Sequence, residues 1–417
     1  MDRITRVRIQ NVRAIESLDL ELGRPMTVLI GENGSGKSTF VECLELLHKA
    51  SEPTFLRQFF AIHGGMPSLL RKGAASLALG LRLENEESAE EALEYRFALR
   101  IEGSGAVVES ESLLRHGTDC PPGGSAVLLR EESLARVFDS KTCALEQFPA
   151  SAVERDRLLL AALGSQPQHP SFRRMVQALR RIETHVGFDT LATWAARSHQ
   201  HPGSLRGSTT LFPADRLQLL GVNLASAWQE LATRGSAPWE QTLAMVRLGL
   251  GDRVDTVVVT ADPGGGNVYL SVRFSDLAGA ISAANLSDGQ LSWLAFVAIA
   301  QLNAGQSLLA IDEPELHLHP SLLGRVVSML AALPGAAPVV LSTHSDRVIE
   351  LIDDPAEAVR VCSLQGSRVL VSRIDRTELP RWLEQFGDLG QLRAAGYLSR
   401  VLLPAEHLAA EGDKRGA

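Results

Sequence analysis

Four short groups of residues in this sequence could do phosphate chemistry. The first, Gly31-Glu32-Asn33-Gly34-Ser35-Gly36-Lys37-Ser38-Thr39, fits the phosphate-loop pattern GxxxxGK(S/T) at every fixed position. Glycines at this spacing let successive backbone N–H groups turn inward on a triphosphate, so Asn33, Gly34, Ser35, Gly36, Lys37, Ser38 and Thr39 are the expected nucleotide contacts. Lys37 is placed to reach the β and γ phosphates, and the Ser38 hydroxyl to take a Mg2+ ion. A glycine-rich turn without a ligand is the alternative, and its surroundings argue against it.

The second group is Asp312-Glu313, adjacent acids that end the apolar run Leu308-Leu309-Ala310-Ile311. Asp312 would hold the Mg2+ shell and Glu313 would orient or deprotonate an attacking water. Such acids can also cap a helix. The third is Leu286-Ser287-Asp288-Gly289-Gln290, ahead of a long apolar stretch. The Ser287 hydroxyl and the first amides of that helix, with Gly289 among them, can offer hydrogen bonds and a positive dipole to a γ-phosphate. A plain capped core helix reads the same way. The fourth is His344, which follows Val339-Val340-Leu341-Ser342-Thr343. A histidine at a strand end is often only a hydrogen-bonded structural residue.

These groups need a parallel sheet to meet. Met26-Thr27-Val28-Leu29-Ile30 reads as a buried strand before the loop, and residues 39–49 carry apolar side chains at helical spacing. The apolar runs 308–311 and 338–341, with a helix at 322–332 between them, are the pattern of parallel central strands. Ahead of the loop, residues 5–10 and 18–22 alternate as two strands. Residues 76–84, 95–101 and 106–113 then read as an antiparallel meander. From 151 to 250 the texture turns helical, with the pairs Arg173-Arg174 and Arg180-Arg181, and strands at 256–260 and 267–274 follow. Strands near 358–364 and 368–374 and a helix at 379–386 complete an α/β pattern.

Composition sets broad bounds. A chain of 417 residues, 45% hydrophobic and 22% charged, can build a full core. Its start lacks the apolar segment of a signal peptide and no run is long enough to span a bilayer, so a cytoplasmic protein with no membrane partner is expected. Cys43, Cys120, Cys143 and Cys362 are scattered and read as reduced thiols. The net charge of −8 leaves DNA binding open, because a local basic groove is compatible with it. His317 and His319 lie two apart without a third ligand, which speaks against zinc.

Taken in order, the P-loop, the LSDGQ stretch, the acid pair and the histidine resemble the motif set of ABC ATPases, and specifically the RecF/SMC-like branch. Within it the chain looks like the bacterial AAA-type ATPases related to the OLD and Septu families. Ile9-Gln10-Asn11-Val12-Arg13-Ala14-Ile15 resembles their NFRSI element, and Glu313-Pro314-Glu315-Leu316-His317-Leu318-His319-Pro320 their EPExHLHP segment. Asp288 departs from the glycine often found there. The resemblance implies an ABC-type head with a mixed central sheet and an antiparallel β lobe. On the texture of the chain, residues 1–150 and 251–405 would form its halves, 151–250 an inserted helical lobe, and the polar residues 406–417 a disordered tail. The resemblance also implies ATP and Mg2+ as cofactors, His344 as the switch histidine, Arg13 near the nucleotide and Gln58 as a candidate Q-loop residue. It further implies a homodimer with ATP sandwiched between one P-loop and the partner's Ser287 helix, acting on DNA or on an effector or nuclease partner in phage defence or DNA maintenance. A transporter's nucleotide-binding subunit and a non-hydrolysing scaffold or sensor are the competing readings.

Overall fold

The computed structural model describes residues 2–403, apart from 57–64, 86–90, 104, 118–119, 122, 140–141, 143, 150–153, 165–168, 192–203, 263–265, 303–304, 334 and 336. Gln58 and the tail 406–417 lie outside the described residues.

The chain opens with the hairpin β1 (Asp2–Val12) and β2 (Ile15–Glu21). It then runs into β3 (Met26–Gly31), which carries the P-loop and the helix Lys37–Lys49. Six antiparallel strands follow: β4 (Ser76–Asn85), β5 (Ala92–Glu102), β6 (Gly105–His116), β7 (Ser125–Glu131), β8 (Leu134–Asp139) and β9 (Ala144–Phe148). They join the hairpin in one eight-stranded sheet ordered β2-β1-β4-β5-β6-β7-β8-β9. The sequence reading found the middle three as a meander but not the last three. β9 buries none of its residues, so it gives no hydrophobic alternation to detect.

The second sheet holds β3 among β10 (Ile182–His185), β15 (Leu308–Asp312), β16 (Val339–Thr343), β17 (Val359–Gln365) and β18 (Arg368–Arg373), in the order β10-β15-β16-β3-β17-β18. All its pairs are parallel except β17 with β18. β3 and β16 are buried at every residue, as strands covered on both faces must be. Leu29, Leu308, Ala310 and Val340 join the core shared with the P-loop helix and the first sheet. Val28, Ile30, Leu309, Ile311 and Leu341 join the core shared with the helix Asp288–Gln301. On the P-loop helix Phe40, Val41, Leu44, Leu46 and Leu47 are buried, each worth about 1.5–3 kcal/mol over exposure, which fixes the loop at its start. A smaller sheet joins β11 (Thr209–Thr210), β12 (Val254–Ala261), β13 (Asn267–Phe274) and β14 (Ala280–Ser282).

Residues 151–250, read above as an inserted helical lobe, contain the helices Leu159–Leu163, Pro170–Arg180, Leu224–Thr233 and Ser236–Leu250. They also supply β10, which pairs with β15 from Ile182↔Leu308 to His185↔Ile311. β10 is buried at all four residues, Ile-Glu-Thr-His, but only one is apolar, so no apolar run or alternation marks it as a strand.

A buried polar knot ties the first sheet to the helix Leu159–Leu163. Glu111 accepts from the Leu159 and Leu160 amides at 2.8 Å each and from the Tyr95 hydroxyl at 2.9 Å. Arg130 lies 3.6 Å from the same carboxylate and donates to the carbonyls of Glu132, Glu154 and Arg157. No helix among the described residues is long and apolar enough to cross a membrane.

Candidate active site

Parallel register brings the motif residues together. Asp312 pairs with Ser342 and Thr343 with Ile30, so β3, β15 and β16 end side by side. The rim beyond the carboxyl ends of parallel strands is where α/β sheets take ligands. Here the P-loop leaves β3, Asp312-Glu313 ends β15 and His344 follows β16.

The loop's glycines are demanded by space and backbone angle. A Cβ on Gly31 would lie 2.1 Å from the Cys362 carbonyl oxygen of β17. Gly36 has φ 92°, and a Cβ there would meet Val369 at 2.8 Å. The helix that follows has no side-chain cap and no acid in its first turn. Its first amides lack intrahelical acceptors and, with the helix dipole, form a site for an anion. Asn33, Gly34 and Ser38 are exposed at this end, Thr39 is half-buried, and the buried Ser35 hydroxyl has no hydrogen-bond partner among the described residues.

Lys37 is only 3% exposed. Its ammonium donates to the carbonyls of Gly31 and Glu32 at 2.9 and 3.1 Å. Burial pulls its pKa below the usual lysine value, with Glu313 and Asp312 opposing the shift. Ser38 and Asp312 line one cleft of about 740 Å3. Asp312 Oδ1 is buried without a hydrogen-bond partner among the described residues. An orphaned carboxylate oxygen in a cleft shared with a hydroxyl fits Mg2+, which takes one or two protein oxygens and completes its octahedron with phosphate and water.

Glu313 has φ 53°, a left-handed backbone that non-glycine residues rarely adopt. Its amide donates to the Ser342 carbonyl at 2.7 Å, and its Oε1 lies 2.8 Å from His344 Nε2. On the other edge of the ring, His344 Nδ1 is 3.0 Å from the Gly31 carbonyl oxygen and 3.4 Å from Lys37 Nζ. A neutral ring with its proton on Nε2 donates to the Glu313 carboxylate and leaves Nδ1 to accept from Lys37. Partial burial raises the Glu313 pKa above the usual carboxylate range, while His344 works against the rise.

Two residues that sequence reasoning did not single out hold His344 in place. Glu315 Oε1 accepts from the Thr343 hydroxyl at 2.6 Å and from the His344 and Ser345 amides at 3.0 and 3.2 Å. Arg393, on the helix Leu389–Ala394, donates to the His344 carbonyl at 3.2 Å and to Asp346 at 2.7 Å. The resemblance to EPExHLHP contained Glu315 without marking its role; Arg393 carried no signal.

The remaining expected residues are placed differently. Arg13 is exposed at φ 48° and pairs with Glu42 on the P-loop helix at 2.6 Å. Ser287 is exposed and caps the helix Asp288–Gln301: its hydroxyl accepts from the Gln290 amide at 3.3 Å, and the Gln290 side chain returns the bond at 2.9 Å. A Cβ on Gly289 would lie 3.1 Å from the His317 carbonyl oxygen. The structure thus brings Lys37, Ser38, Asp312, Glu313 and His344 together, and no described hydrogen bond joins Ser287 to the P-loop of its own chain. His319 caps the helix Pro320–Ala331.

A family model described as "AAA domain, putative AbiEii toxin, Type IV TA system" matches residues 26–350. A stretch of 48 residues is 44% identical to the DNA repair protein RAD50 of Saccharomyces cerevisiae, covering 11% of this chain and 4% of that protein. The Smc head bound to the C-winged helix domain of ScpA superposes with a TM-score of 0.50 at 11% identity, over 90% of this chain and 99% of that one. The Smc head domain with an extended coiled coil bound to the C-terminal domain of ScpA, derived from Pyrococcus furiosus, gives 0.50 at 10% identity, over 93% and 100%. At such identities the likeness speaks to the fold: a mixed α/β head of the SMC type. With the family match it agrees with the RecF/SMC-like ABC-type reading of the sequence.

Proposed function

This chain belongs to that AAA family, and from this premise we propose that it binds and hydrolyses ATP as a dimeric switch acting on DNA or on a partner protein. The observation that carries the reading is the meeting of Lys37, Ser38, Asp312, Glu313 and His344 at one rim of a parallel sheet. The triphosphate would lie on the uncapped first turn of the P-loop helix, with the Lys37 ammonium turned from its two carbonyls to the β and γ phosphates. Ser38 and Asp312 would hold Mg2+, which when bound neutralises charge on those phosphates. Glu313 would take the proton of the attacking water once His344 leaves it for the γ-phosphate. Ser287 and Gly289, exposed or half-buried and unjoined to their own P-loop, are suited to cap the nucleotide of a second copy.

The wider role rests on names. RAD50 is a DNA repair protein, the matched Smc heads carry ScpA domains, and the family description names a toxin–antitoxin system. These favour DNA maintenance or phage defence, with an effector or nuclease as partner, over a transporter subunit. A non-hydrolysing scaffold is favoured by one observation, the engagement of Glu313 by His344. Glu313→Gln separates the two. A switch loses turnover at least roughly 100-fold, the scale of a lost general base, and accumulates dimers with unhydrolysed ATP. Unchanged turnover would remove Glu313 from the chemistry.

A further inference from the structure

Asp288 puts a carboxylate at the first position of the helix whose N-terminus is the expected phosphate contact. Left alone, a negative charge there would compete with the γ-phosphate for the first-turn amides and repel it. The structure holds a counterweight in Arg206, which is 9% exposed. Its guanidinium gathers the turn just before Ser287: one terminal nitrogen donates to the carbonyls of Leu286 at 2.6 Å and Ala284 at 3.1 Å, with Ala283 at 3.4 Å. Nε donates to the Thr190 carbonyl at 2.8 Å, and the other terminal nitrogen reaches Asp288 Oδ1 at 2.5 Å. Asp288 is the sole carboxylate described within ion-pair range of this buried cation, and its own side chain is half exposed. A buried arginine with nearly all its donors committed is expensive to desolvate, and its one anionic partner is the residue that breaks the signature pattern.

We propose that Arg206 is a positioning residue for the signature helix: it clamps the turn at 283–286 and neutralises Asp288, leaving the Ser287 hydroxyl proton and the amides of Asp288 and Gly289 to meet the γ-phosphate held by a partner's P-loop. This rests on the dimeric reading above and adds to it a residue acting across the seam. The two effects of Arg206 are separable, because only the second depends on what stands at position 288. A chain with glycine at 288 has no charge to neutralise and needs Arg206 only for the turn.

The test uses the full chain carrying Glu313→Gln, with Mg-ATP, and reads the dimer constant by analytical ultracentrifugation. In that background Arg206→Gln is expected to weaken the dimer at least roughly tenfold, while affinity of the monomer for a fluorescent ATP analogue is unchanged, since the P-loop is untouched. Adding Asp288→Gly to Arg206→Gln is expected to recover most of that loss, and Arg206→Lys, which keeps the charge, to lose far less. Melting temperatures identify any variant that fails to fold, in which case Arg206→Met, which keeps a buried stem and drops the charge, carries the same comparison at Asp288 and at Asp288→Gly. An equal loss whether position 288 is aspartate or glycine, or no loss at all, overturns the inference. A Glu313→Gln chain that stays monomeric under saturating ATP instead overturns the dimeric reading, and this inference falls with it.

Discussion

His344 is restrained from three sides: its ring lies between the Gly31 carbonyl and Glu313, its amide rests on Glu315, and its carbonyl rests on Arg393. Catalysis by a positioned side chain is sensitive to shifts of about 1 Å, which can cost up to roughly 100-fold. Glu315→Ala is therefore expected to lower kcat at least about tenfold with KM for ATP nearly unchanged, and Arg393→Ala to act in the same direction. A loss confined to KM in steady-state assays would show that these residues serve binding. Cysteines give a second residue-level check. Burial pushes the Cys362 thiol up to about 12 and the Cys43 thiol higher still. Thiol reagents need the thiolate, so native protein treated with iodoacetamide at neutral pH should keep both unmodified by mass spectrometry. Alkylation of either in folded protein would contradict the burial described here.

At the scale of elements, joints decide stability. Glu111 joins three donors from the first sheet and the helix Leu159–Leu163 and faces the buried Arg130. Removing it leaves that cation without its carboxylate, so Glu111→Ala is expected to cost about 3–5 kcal/mol, read as a shift of the urea midpoint. A cost below about 1 kcal/mol, the scale of an exposed pair, would mean the knot is solvated. The elements legible in the sequence were those with a strong period or a fixed motif: β3, β15 and β16 are built on apolar runs, and their ends carry Gly31, Asp312 and Thr343. β10 and β9 were not, because one has a single apolar residue in Ile-Glu-Thr-His and the other buries none of its residues fully. Arg206, Glu315 and Arg393 were equally hidden. Each acts through bonds to residues far along the chain, and spacing along a sequence carries no trace of them.

In the whole molecule, a P-loop near the start and an acid pair and histidine near the end meet because β3, β15 and β16 lie adjacent and parallel. Motif order in the sequence was enough to anticipate that meeting. What it could not supply was the partner of Ser287, whose described hydrogen bonds stay within its own helix cap. In the proposed dimer that partner is a second copy, and the active site would be a shared one. Mixing two defective chains tests this most directly. Lys37→Ala removes the phosphate cradle of one copy, and Ser287→Arg blocks the capping helix of the other; each alone should hydrolyse ATP at background rates. A mixture builds heterodimers in which the intact P-loop of one chain faces the intact signature of the other, so ATPase activity is predicted to reappear in proportion to heterodimer. Full activity of the Ser287→Arg chain by itself, or no recovery in a mixture proven to contain heterodimers, would contradict the shared site.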